Sequence, residues 1–195
     1  MGSSQDILTL ASTSPQRRAI LEQLRIPFEV VAPTYVEDDP SGVEPEDIVD
    51  LHAEGKARSV HQNEQVTLGV DTAVLLDGRV FGKPVDRADA GRMLGELSGN
   101  THTVVSGLFL LGPGFVCRAR ESTLVAFRDL PPALVNAYLE SGEWEGRAGA
   151  YAIQGFGARL VDWIDGDYLN VVGLPGARLL ACLEKRAPNL LQIRR

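Results

Sequence analysis

Hydrophobic and polar positions along the chain predict strands and helices that alternate irregularly. The apolar stretch DILTLAS predicts a first strand, and IPFEVVAP predicts a second. Between them, Ser14 and Pro15 form a typical helix start, with a serine cap followed by proline in the first helical position. Apolar residues then recur at helical spacing, which predicts a helix between the two strands.

The middle of the chain predicts a helix, a hairpin and several longer strands. The acidic stretch VEDDPSGVEPED is predicted to be a loop that leads into a helix ending near Val60. QVTLGVDTAVLLDGRVFGKPV predicts a strand, a polar interruption, a second strand, a turn at Asp77-Gly78 and a third strand. The remaining predicted elements, in order, are a helix over DRADAGRMLGELSGN that stops at Gly99, strands over THTVVSGLFLLG and CRARESTLVAFR, a helix over PPALVNAYLESG, a glycine-rich tract and a closing helix over GARLLACLEKRA. This order predicts an α/β fold with a mixed sheet.

Length and composition indicate an ordinary soluble globular protein. The chain has 195 residues, of which 44% are hydrophobic and 23% are charged. This length suits one domain, with or without two lobes. No apolar run approaches the roughly 20 residues of a membrane span. The first residues lack the basic-then-apolar order of a secretory signal, so we expect a cytoplasmic location.

Charge and cysteine content restrict the classes of partner. A net charge of −7, from 19 basic and 26 acidic residues, disfavours broad binding to nucleic acid. Any anionic ligand must therefore be held by a local basic cluster. We expect Cys117 and Cys182 to be small buried residues rather than a disulfide, because disulfides are rare in cytosolic proteins. The three histidines, His52, His61 and His102, lack the spacing of a metal site or triad, and each is expected to be structural or exposed.

Two arginines near the start form the first candidate site. Arg17 and Arg18 follow the serine-rich turn at Ser12-Thr13-Ser14 and lie in the first turn of the predicted helix. Cations there oppose the helix dipole, whereas the free N–H groups of a helix start bind anions. The segment is thus a cradle for phosphate or, equally well, a surface helix with solvated arginines.

Asp71 and Thr72 form a second candidate site because they interrupt a strongly apolar strand. A carboxylate at such a place suits a metal ligand or a general base, since an unpaired buried charge is costly. Lys83 follows one hairpin later, and folding of the hairpin could bring it near Asp71. A lysine, a carboxylate and a metal together suit phosphoryl chemistry. On these residues alone, a structural turn with a surface ion pair is the slightly preferred alternative.

The glycine-rich tract forms a third candidate site. Gly155 and Gly157 permit close approach of a backbone, and Gln154 has the donor and acceptor needed to read a base edge. The spacing completes neither a dinucleotide-binding fingerprint nor a P-loop. An ordinary loop with turn glycines is an equally good interpretation.

Six motifs extend the three candidate segments over nearly the whole chain. In order they are LASTSPQRR, VDTAV, GKPVD, LSGNTHTVVSGL, RAGAYAIQGFGARLV and GDYLNVVGLP. In this order they resemble the Maf family of nucleoside triphosphate pyrophosphatases, also known as septum-formation inhibitor proteins. The resemblance implies a single α/β domain over residues 1–195, with two lobes around an elongated mixed sheet and a central cleft.

The resemblance also implies an activity, which is hydrolysis of a nucleoside triphosphate between its α- and β-phosphates to give the monophosphate and pyrophosphate. It implies a divalent metal, usually Mg²⁺ with Mn²⁺ or Co²⁺ as alternatives, and a homodimer; no nucleic acid or membrane partner is expected. By position, Asp71 resembles the family's proton acceptor, and Lys83 is assigned with it to catalysis. The other implied roles are metal binding by Glu37 and Asp71, and substrate binding by Ser12, Gln16, Arg17, Lys56, Thr72 and Gln154.

The base of the substrate is assigned by comparison with two branches of the family. Thr72 and Gln154 resemble the branch that hydrolyses dTTP and UTP. A residue other than arginine before the arginine pair looks more like the branch for 7-methyl-GTP, but that residue is Gln16, which matches neither branch. The leading hypothesis is a dTTP/UTP pyrophosphatase. The alternatives are a 7-methyl-GTP-type pyrophosphatase and a nucleotide-binding regulator of septation.

Overall fold

The computed structural model describes residues 7–40 and 42–192. The strands in these ranges are β1 (Leu8–Leu10), β2 (Phe28–Val30), β3 (Val66–Leu76), β4 (Arg79–Phe81), β5 (Thr101–Gly112), β6 (Phe115–Phe127) and β7 (Val161–Asp165). The α-helices are α1 (Pro15–Gln23), α2 (Pro45–Val60), α3 (Arg87–Leu97), α4 (Pro132–Ser141), α5 (Tyr168–Val172) and α6 (Gly176–Arg186). Short 3₁₀ helices occur at Ala148–Ala150, Gly155–Arg159 and Pro188–Leu191.

The strands form a mixed sheet. Hydrogen bonding gives the order β2-β1-β3-β5-β6-β7, and β4 pairs with β3 beside this path. β1 is parallel to β2 and to β3, whereas β4 is antiparallel to β3 and β7 is antiparallel to β6. The predicted α/β fold with a mixed sheet is therefore confirmed.

The chain divides into two compact units. The first comprises Met1–Asp71, Ser106–Glu121 and Gly173–Arg195, and the second comprises the intervening residues Thr72–Val105 and Ser122–Val172. β3, β5 and β6 each supply residues to both units. Among the residues that the structure describes, no helix is long and apolar enough to cross a membrane.

In the first unit, α2 lies close against the sheet because two strand residues lack a side chain. A Cβ atom at Gly69 would lie 2.0 Å from the carbonyl oxygen of Ala53, and one at Gly107 would lie 2.5 Å from that of Val49. Val49 and Ala53 are one helical turn apart and fully buried. The two glycines thus set the spacing between α2 and the sheet, and with it the position of every side chain that α2 carries.

In the second unit, a cluster of rings lies in the core. The rings of His102, Phe127 and Tyr151 meet edge to face, with centroids 4.8 to 5.4 Å apart. The Nε2 atom of His102 lies 2.8 Å from the hydroxyl oxygen of Tyr151. Burial lowers the pKa of His102 to about 4, so its ring is neutral near pH 7.

Local signals in the sequence located the helix starts and the turns correctly. Ser14 caps α1 by accepting a hydrogen bond from the N–H of Arg17, and proline follows it. Gly99, just after α3, has a φ of 68°, which favours glycine. Asp77 and Gly78 have φ values of 50° and 75°, as a two-residue hairpin turn requires.

Several strand predictions differ from the structure. β3 continues without interruption through Asp71 and Thr72, because a polar side chain does not prevent its backbone from pairing. The second strand covers only Phe28–Val30, because its neighbour β1 pairs with it over three residues. β7 and α5 lie within the glycine-rich tract, where no element was predicted. The start of the first predicted strand, Asp6, and Ser41 of the predicted acidic loop are outside the described residues.

The prediction that the cysteines are unpaired is wrong. Cys117 of β6 and Cys182 of α6 form a disulfide within the first unit, with Cα atoms 6.2 Å apart. The expectation rested on the redox state of the cytosol. Pairing also depends on distance in the folded chain, and the two cysteines meet although 65 residues separate them in the sequence.

Candidate active site

The turn before α1 fixes one of the two arginines. The guanidinium of Arg17 donates through Nη1 to Ser12 Oγ at 3.1 Å and through Nε to the carbonyl oxygen of Gly173 at 2.9 Å. The N–H of Ser14 also donates to Ser12 Oγ, at 3.2 Å. Arg18 is exposed. The two arginines therefore differ, because Arg17 is part of a hydrogen-bonded turn and Arg18 lies on the surface.

Two carboxylates interact electrostatically with Arg17. Burial lowers the pKa of Arg17, and the negative charges of Asp71 and Glu37 act in the opposite direction. An arginine remains protonated in proteins, so its charge persists despite burial. Arg17, Asp71 and Glu37 thus belong to one cluster of charges in the first unit.

Lys56 joins the same two carboxylates. Its Nζ atom lies 2.5 Å from Asp71 Oδ1 and 2.7 Å from Glu37 Oε1. The side chains of Lys56 and Asp71 are only 9% and 14% exposed, whereas that of Glu37 is 50% exposed. Little exposure means weak screening by water and salt, so the Lys56–Asp71 pair is the strong part of the cluster. The lysine that contacts Asp71 is therefore Lys56 of α2, whereas the hairpin pattern in the sequence suggested Lys83.

Three elements bring this cluster together. Ser12 and Arg17 flank the start of α1, Asp71 lies within β3, and Lys56 lies on α2. Glu37 lies in the segment without regular structure between β2 and α2. Of the residues implied by the family resemblance, the structure thus gathers Ser12, Arg17, Glu37, Lys56 and Asp71 in the first unit.

The two carboxylates fit a divalent cation. Oxygen atoms of Glu37 and Asp71 converge on one positively charged atom, Lys56 Nζ. Mg²⁺ prefers carboxylate oxygens and commonly takes one or two of them together with water and substrate phosphates. Within residues 7–40 and 42–192 there is no group of three or more His, Cys, Asp or Glu residues that could hold a metal. Glu37 and Asp71 are thus the residues that would hold such an ion.

The remaining predicted residues include one more in the first unit and three in the second. Gln16 is half-buried, and its side-chain oxygen lies 3.2 Å from the hydroxyl oxygen of Ser14. In the second unit, Lys83 and Gln154 are exposed and Thr72 is half-buried.

A backbone hydrogen bond joins the Lys83 loop to the glycine-rich tract. The N–H of Gly149 donates to the carbonyl oxygen of Gly82 at 3.0 Å. Gly149 has a φ of 68°, and a Cβ atom there would lie 3.1 Å from the nearest side-chain atom of Val74. The conformation next to Lys83 thus depends on the conformation of the tract.

Glu143 is a residue of this region that sequence reasoning missed. Its two carboxylate oxygens accept hydrogen bonds from the N–H groups of Phe156 and Gly157, each at 3.1 Å. A Cβ atom at Gly155, where φ is 63°, would lie 2.7 Å from Glu143 Oε1. Glu143 therefore fixes the backbone that follows Gln154. A glutamate at the end of a helical pattern is too common to be recognised as such a contact from sequence.

The site places an arginine and a buried lysine beside two carboxylates, in a fold with a mixed α/β sheet. This arrangement is typical of the class of proteins that bind an anionic ligand together with a hard cation such as Mg²⁺. The chain belongs to the Maf family, because the family model described as Maf-like protein matches residues 7–186. The predicted family membership is confirmed.

Three relatives named dTTP/UTP pyrophosphatase align with most of the chain. The dTTP/UTP pyrophosphatase of Gloeobacter violaceus is 46% identical over 169 residues, which cover 86% of this chain and 89% of the relative. That of Pelotomaculum thermopropionicum is 40% identical over 188 residues, covering 94% and 98%. That of Symbiobacterium thermophilum is 44% identical over 178 residues, covering 90% and 92%.

A likeness to a solved structure is much weaker. The Ham1 protein of Staphylococcus aureus is 14% identical, with 80% of each chain covered and a TM-score of 0.48. A likeness at this level supports no conclusion about the site or its activity.

Proposed function

We propose that the protein is a nucleoside triphosphate pyrophosphatase that hydrolyses dTTP and UTP to the monophosphate and pyrophosphate. The three relatives described above bear this name and align over 86 to 94% of the chain. The observation that carries the proposal is the buried Lys56 between Glu37 and Asp71. It combines a cation for phosphate, ligands for a metal and a carboxylate for proton transfer.

Binding of the phosphates falls to Ser12, Arg17, Lys56 and, in the second unit, Lys83. Water cannot easily attack a phosphorus atom that is surrounded by negative oxygens unless their charge is neutralised. The hydrogen bonds of Arg17 to Ser12 and Gly173 hold its guanidinium in one orientation. This preorganisation reduces the free energy needed to order the cation when the phosphates bind.

Asp71 accepts the proton of the attacking water in this proposal. The contact between its Oδ1 atom and Lys56 Nζ orients the carboxylate. A positioned carboxylate within hydrogen-bond reach of water is a suitable general base. Proton transfer from water to Asp71 then accompanies formation of the new bond between the water oxygen and phosphorus, while the anhydride bond between the α- and β-phosphates breaks and releases the monophosphate and pyrophosphate.

Glu37 and Asp71 are the residues that would hold Mg²⁺, with Mn²⁺ or Co²⁺ as alternatives. When bound, such an ion neutralises charge on the phosphate oxygens. A homodimer is a further expectation of the family resemblance, and a cytoplasmic location is a further expectation from the sequence. Both stay predictions.

Recognition of the pyrimidine base is assigned to Thr72 and Gln154 of the second unit, and Gln16 of the first unit keeps its predicted role in substrate binding. Gln154 is exposed and adjoins the backbone that Glu143 holds. Its amide offers a donor and an acceptor to a base edge. The names of the relatives favour this assignment over 7-methyl-GTP.

Release of pyrophosphate from a panel of triphosphates tests the proposed function. The wild type is expected to cleave dTTP and UTP faster than 7-methyl-GTP, dATP or dGTP. Asp71→Asn is expected to lower turnover by roughly 100-fold or more while retaining nucleotide binding, because an amide is a poor proton acceptor.

The matched control for this test is Asp77→Asn. Asp77 lies in the hairpin turn with a φ of 50°, a conformation that asparagine adopts readily. Its turnover is expected to equal that of the wild type. Absence of pyrophosphate release by the wild type from every triphosphate would refute the function. Undiminished turnover by Asp71→Asn would refute the role of Asp71.

A further inference from the structure

The segment that carries Glu37 lies along one face of α2. Residues 34–39, here called the Glu37 segment, have no regular secondary structure. The α2 residues that they contact are His52, Gly55, Lys56 and Ser59, which are spaced as one helical face requires. At one end of the segment, the N–H of residue 34 donates to Ser59 Oγ at 3.3 Å.

A glycine on this face makes room for an aromatic ring of the segment. A Cβ atom at Gly55 would lie 2.3 Å from the ring of Tyr35, so any side chain there would displace the ring. The ring of Tyr35 also lies beside that of His52, with centroids 5.7 Å apart. The fit between Gly55 and Tyr35 therefore sets where the segment meets the helix.

His52 binds the segment at two points that flank Glu37. The side chain is buried, with 3% of the residue exposed. Its Nε2 atom lies 2.8 Å from Asp39 Oδ1, and its Nδ1 atom lies 3.1 Å from the hydroxyl oxygen of Tyr35. Since a carboxylate only accepts, Nε2 is the donor to Asp39, and Nδ1 of the neutral ring can accept from the tyrosine hydroxyl.

These contacts have a consequence for the side chain of Glu37. Its carboxylate is half-exposed and lies in an irregular segment, yet it reaches Lys56 Nζ at 2.7 Å. A carboxylate on a free segment would sample many positions, and ordering it would cost conformational entropy. Fixing the residues two places before and two places after Glu37 removes most of that freedom.

We propose that His52 is a positioning residue that acts through Tyr35 and Asp39 to hold Glu37 opposite Asp71 for binding of the divalent cation. The inference rests on the proposed function, because it explains how one of the two cation-binding carboxylates is oriented. A buried imidazole is costly unless both its nitrogen atoms have partners. Here both partners belong to the same short segment.

Substitution of His52 by leucine tests the proposal through cation binding. In His52→Leu, the affinity for Mn²⁺ in the presence of α,β-methylene-dTTP is expected to fall about 10-fold. This is at the low end of the effects seen when a residue that orients a metal ligand, without binding the metal itself, is lost. Electron paramagnetic resonance of the free ion measures this affinity without turnover. The Mg²⁺ concentration for half-maximal pyrophosphate release is expected to rise similarly, with a smaller change in kcat at saturating Mg²⁺.

His61→Leu is the matched control. His61 is a half-buried histidine of the same unit, and its Nδ1 atom lies 3.0 Å from the hydroxyl oxygen of Thr67, outside the Glu37 segment. Its substitution is expected to leave both cation measurements unchanged. An equal effect of the two substitutions would show general damage to the unit and would overturn the positioning role.

A double substitution separates positioning from a structural role. If His52 acts through Glu37, His52→Leu introduced into Glu37→Gln causes no further loss of cation affinity, because the carboxylate that it positions is already gone. Additive losses would overturn the proposal. Tyr35→Phe and Asp39→Ala each remove one hydrogen bond while keeping the buried imidazole, and each is expected to weaken cation binding by about 5-fold, which corresponds to the roughly 1 kcal/mol of a typical hydrogen bond. These two variants decide the matter if His52→Leu does not fold.

Hydrogen exchange distinguishes failure of this inference from failure of the proposed function. Backbone amides of residues 34–39 are expected to exchange faster in His52→Leu than in the wild type and in His61→Leu. This measurement needs no substrate or metal. Unchanged exchange would overturn the inference even in an active enzyme, whereas absence of pyrophosphate release by the wild type would refute only the function.

Discussion

The two units hold their candidate residues in different ways. In the first unit, side chains hold one another, as Lys56 does with Asp71 and Glu37 through contacts of 2.5 and 2.7 Å. In the second unit, backbone conformation and glycines place Lys83 and Gln154, whose side chains are exposed. The difference teaches that the first unit has its charges ordered before a ligand arrives. The second presents exposed side chains on a backbone that hydrogen bonds hold in place.

Two lysines, one in each unit, show the contrast between the units most clearly. Lys56 is buried with two acidic partners, so its ammonium contributes both to folding and to the proposed chemistry. Lys83 is exposed, so its contribution is expected to appear only when phosphates are bound. Removal of each lysine therefore tests the comparison directly.

The largest effect is expected for Lys56→Met. Loss of the cation should lower kcat/KM by roughly 100- to 1000-fold, as for removal of a group that stabilises transition-state charge. The free energy of unfolding should also fall, by about 2 kcal/mol, because Asp71 is left without its buried partner. Lys83→Met should lower kcat/KM while leaving stability unchanged. Steady-state kinetics and urea denaturation measure both, and equal stability losses would break the comparison.

A second, somewhat smaller effect concerns pH and the core of the second unit. The pKa of His102 is lowered from about 6.5 to about 4 by burial, so the unfolded state binds its proton first as pH falls. The stabilisation is complete above pH 6.5 and is lost between pH 6.5 and 4, up to about 3 kcal/mol.

Both tryptophans of the chain, Trp144 and Trp163, lie in the second unit, so their fluorescence follows its unfolding at each pH. The pKa of His61 in the first unit is also lowered, by burial and by Arg58. His102→Leu isolates the larger contribution and should flatten the decline in this pH range. An unchanged slope in this variant would exclude His102 as its source.

The third prediction concerns the backbone that places Gln154. In Gly157→Ala, the new Cβ atom would lie 1.9 Å from the carbonyl oxygen of Ala152, which is backbone and cannot move aside easily. We expect a loss of about 2 kcal/mol in the free energy of unfolding of the second unit. KM for dTTP should rise, since Gln154 is displaced.

Gly95→Ala provides the control for this substitution. Gly95 lies within α3, and no atom lies within 4 Å of the Cβ position. Alanine is a better helix former than glycine, so this variant is expected to gain up to about 1 kcal/mol. If Gly157→Ala is as stable as Gly95→Ala, the glycine-rich tract is not under the steric constraint described.

The smallest effect is expected for Gln154→Glu, which retains the size of an exposed side chain. A carboxylate lacks the donor of the amide, so the preference for dTTP and UTP over 7-methyl-GTP should fall by about 10-fold. Stability should not change. The ratio of kcat/KM values measures the preference, and an unchanged ratio would remove Gln154 from recognition of the base.

The sequence by itself determined several helix starts, the hairpin turn and the family. Helix caps such as Ser14 and the turn at Asp77-Gly78 depend on interactions within a few residues, so they can be recognised from the sequence. The order of motifs predicted the Maf family, which the match over residues 7–186 confirms. The catalytic and binding roles of the residues in those motifs stay predictions for the experiments above.

Only the tertiary structure decided which side chains meet. Lys56 and Asp71 are 15 residues apart, Glu143 and Gly157 are 14 apart, and the disulfide joins cysteines 65 apart. Such contacts depend on how helices and strands pack, as Gly69 shows by letting α2 approach the sheet. The physical reason is range: periodicity and capping are local interactions, whereas an ion pair or a disulfide requires two distant segments to occupy the same few ångströms.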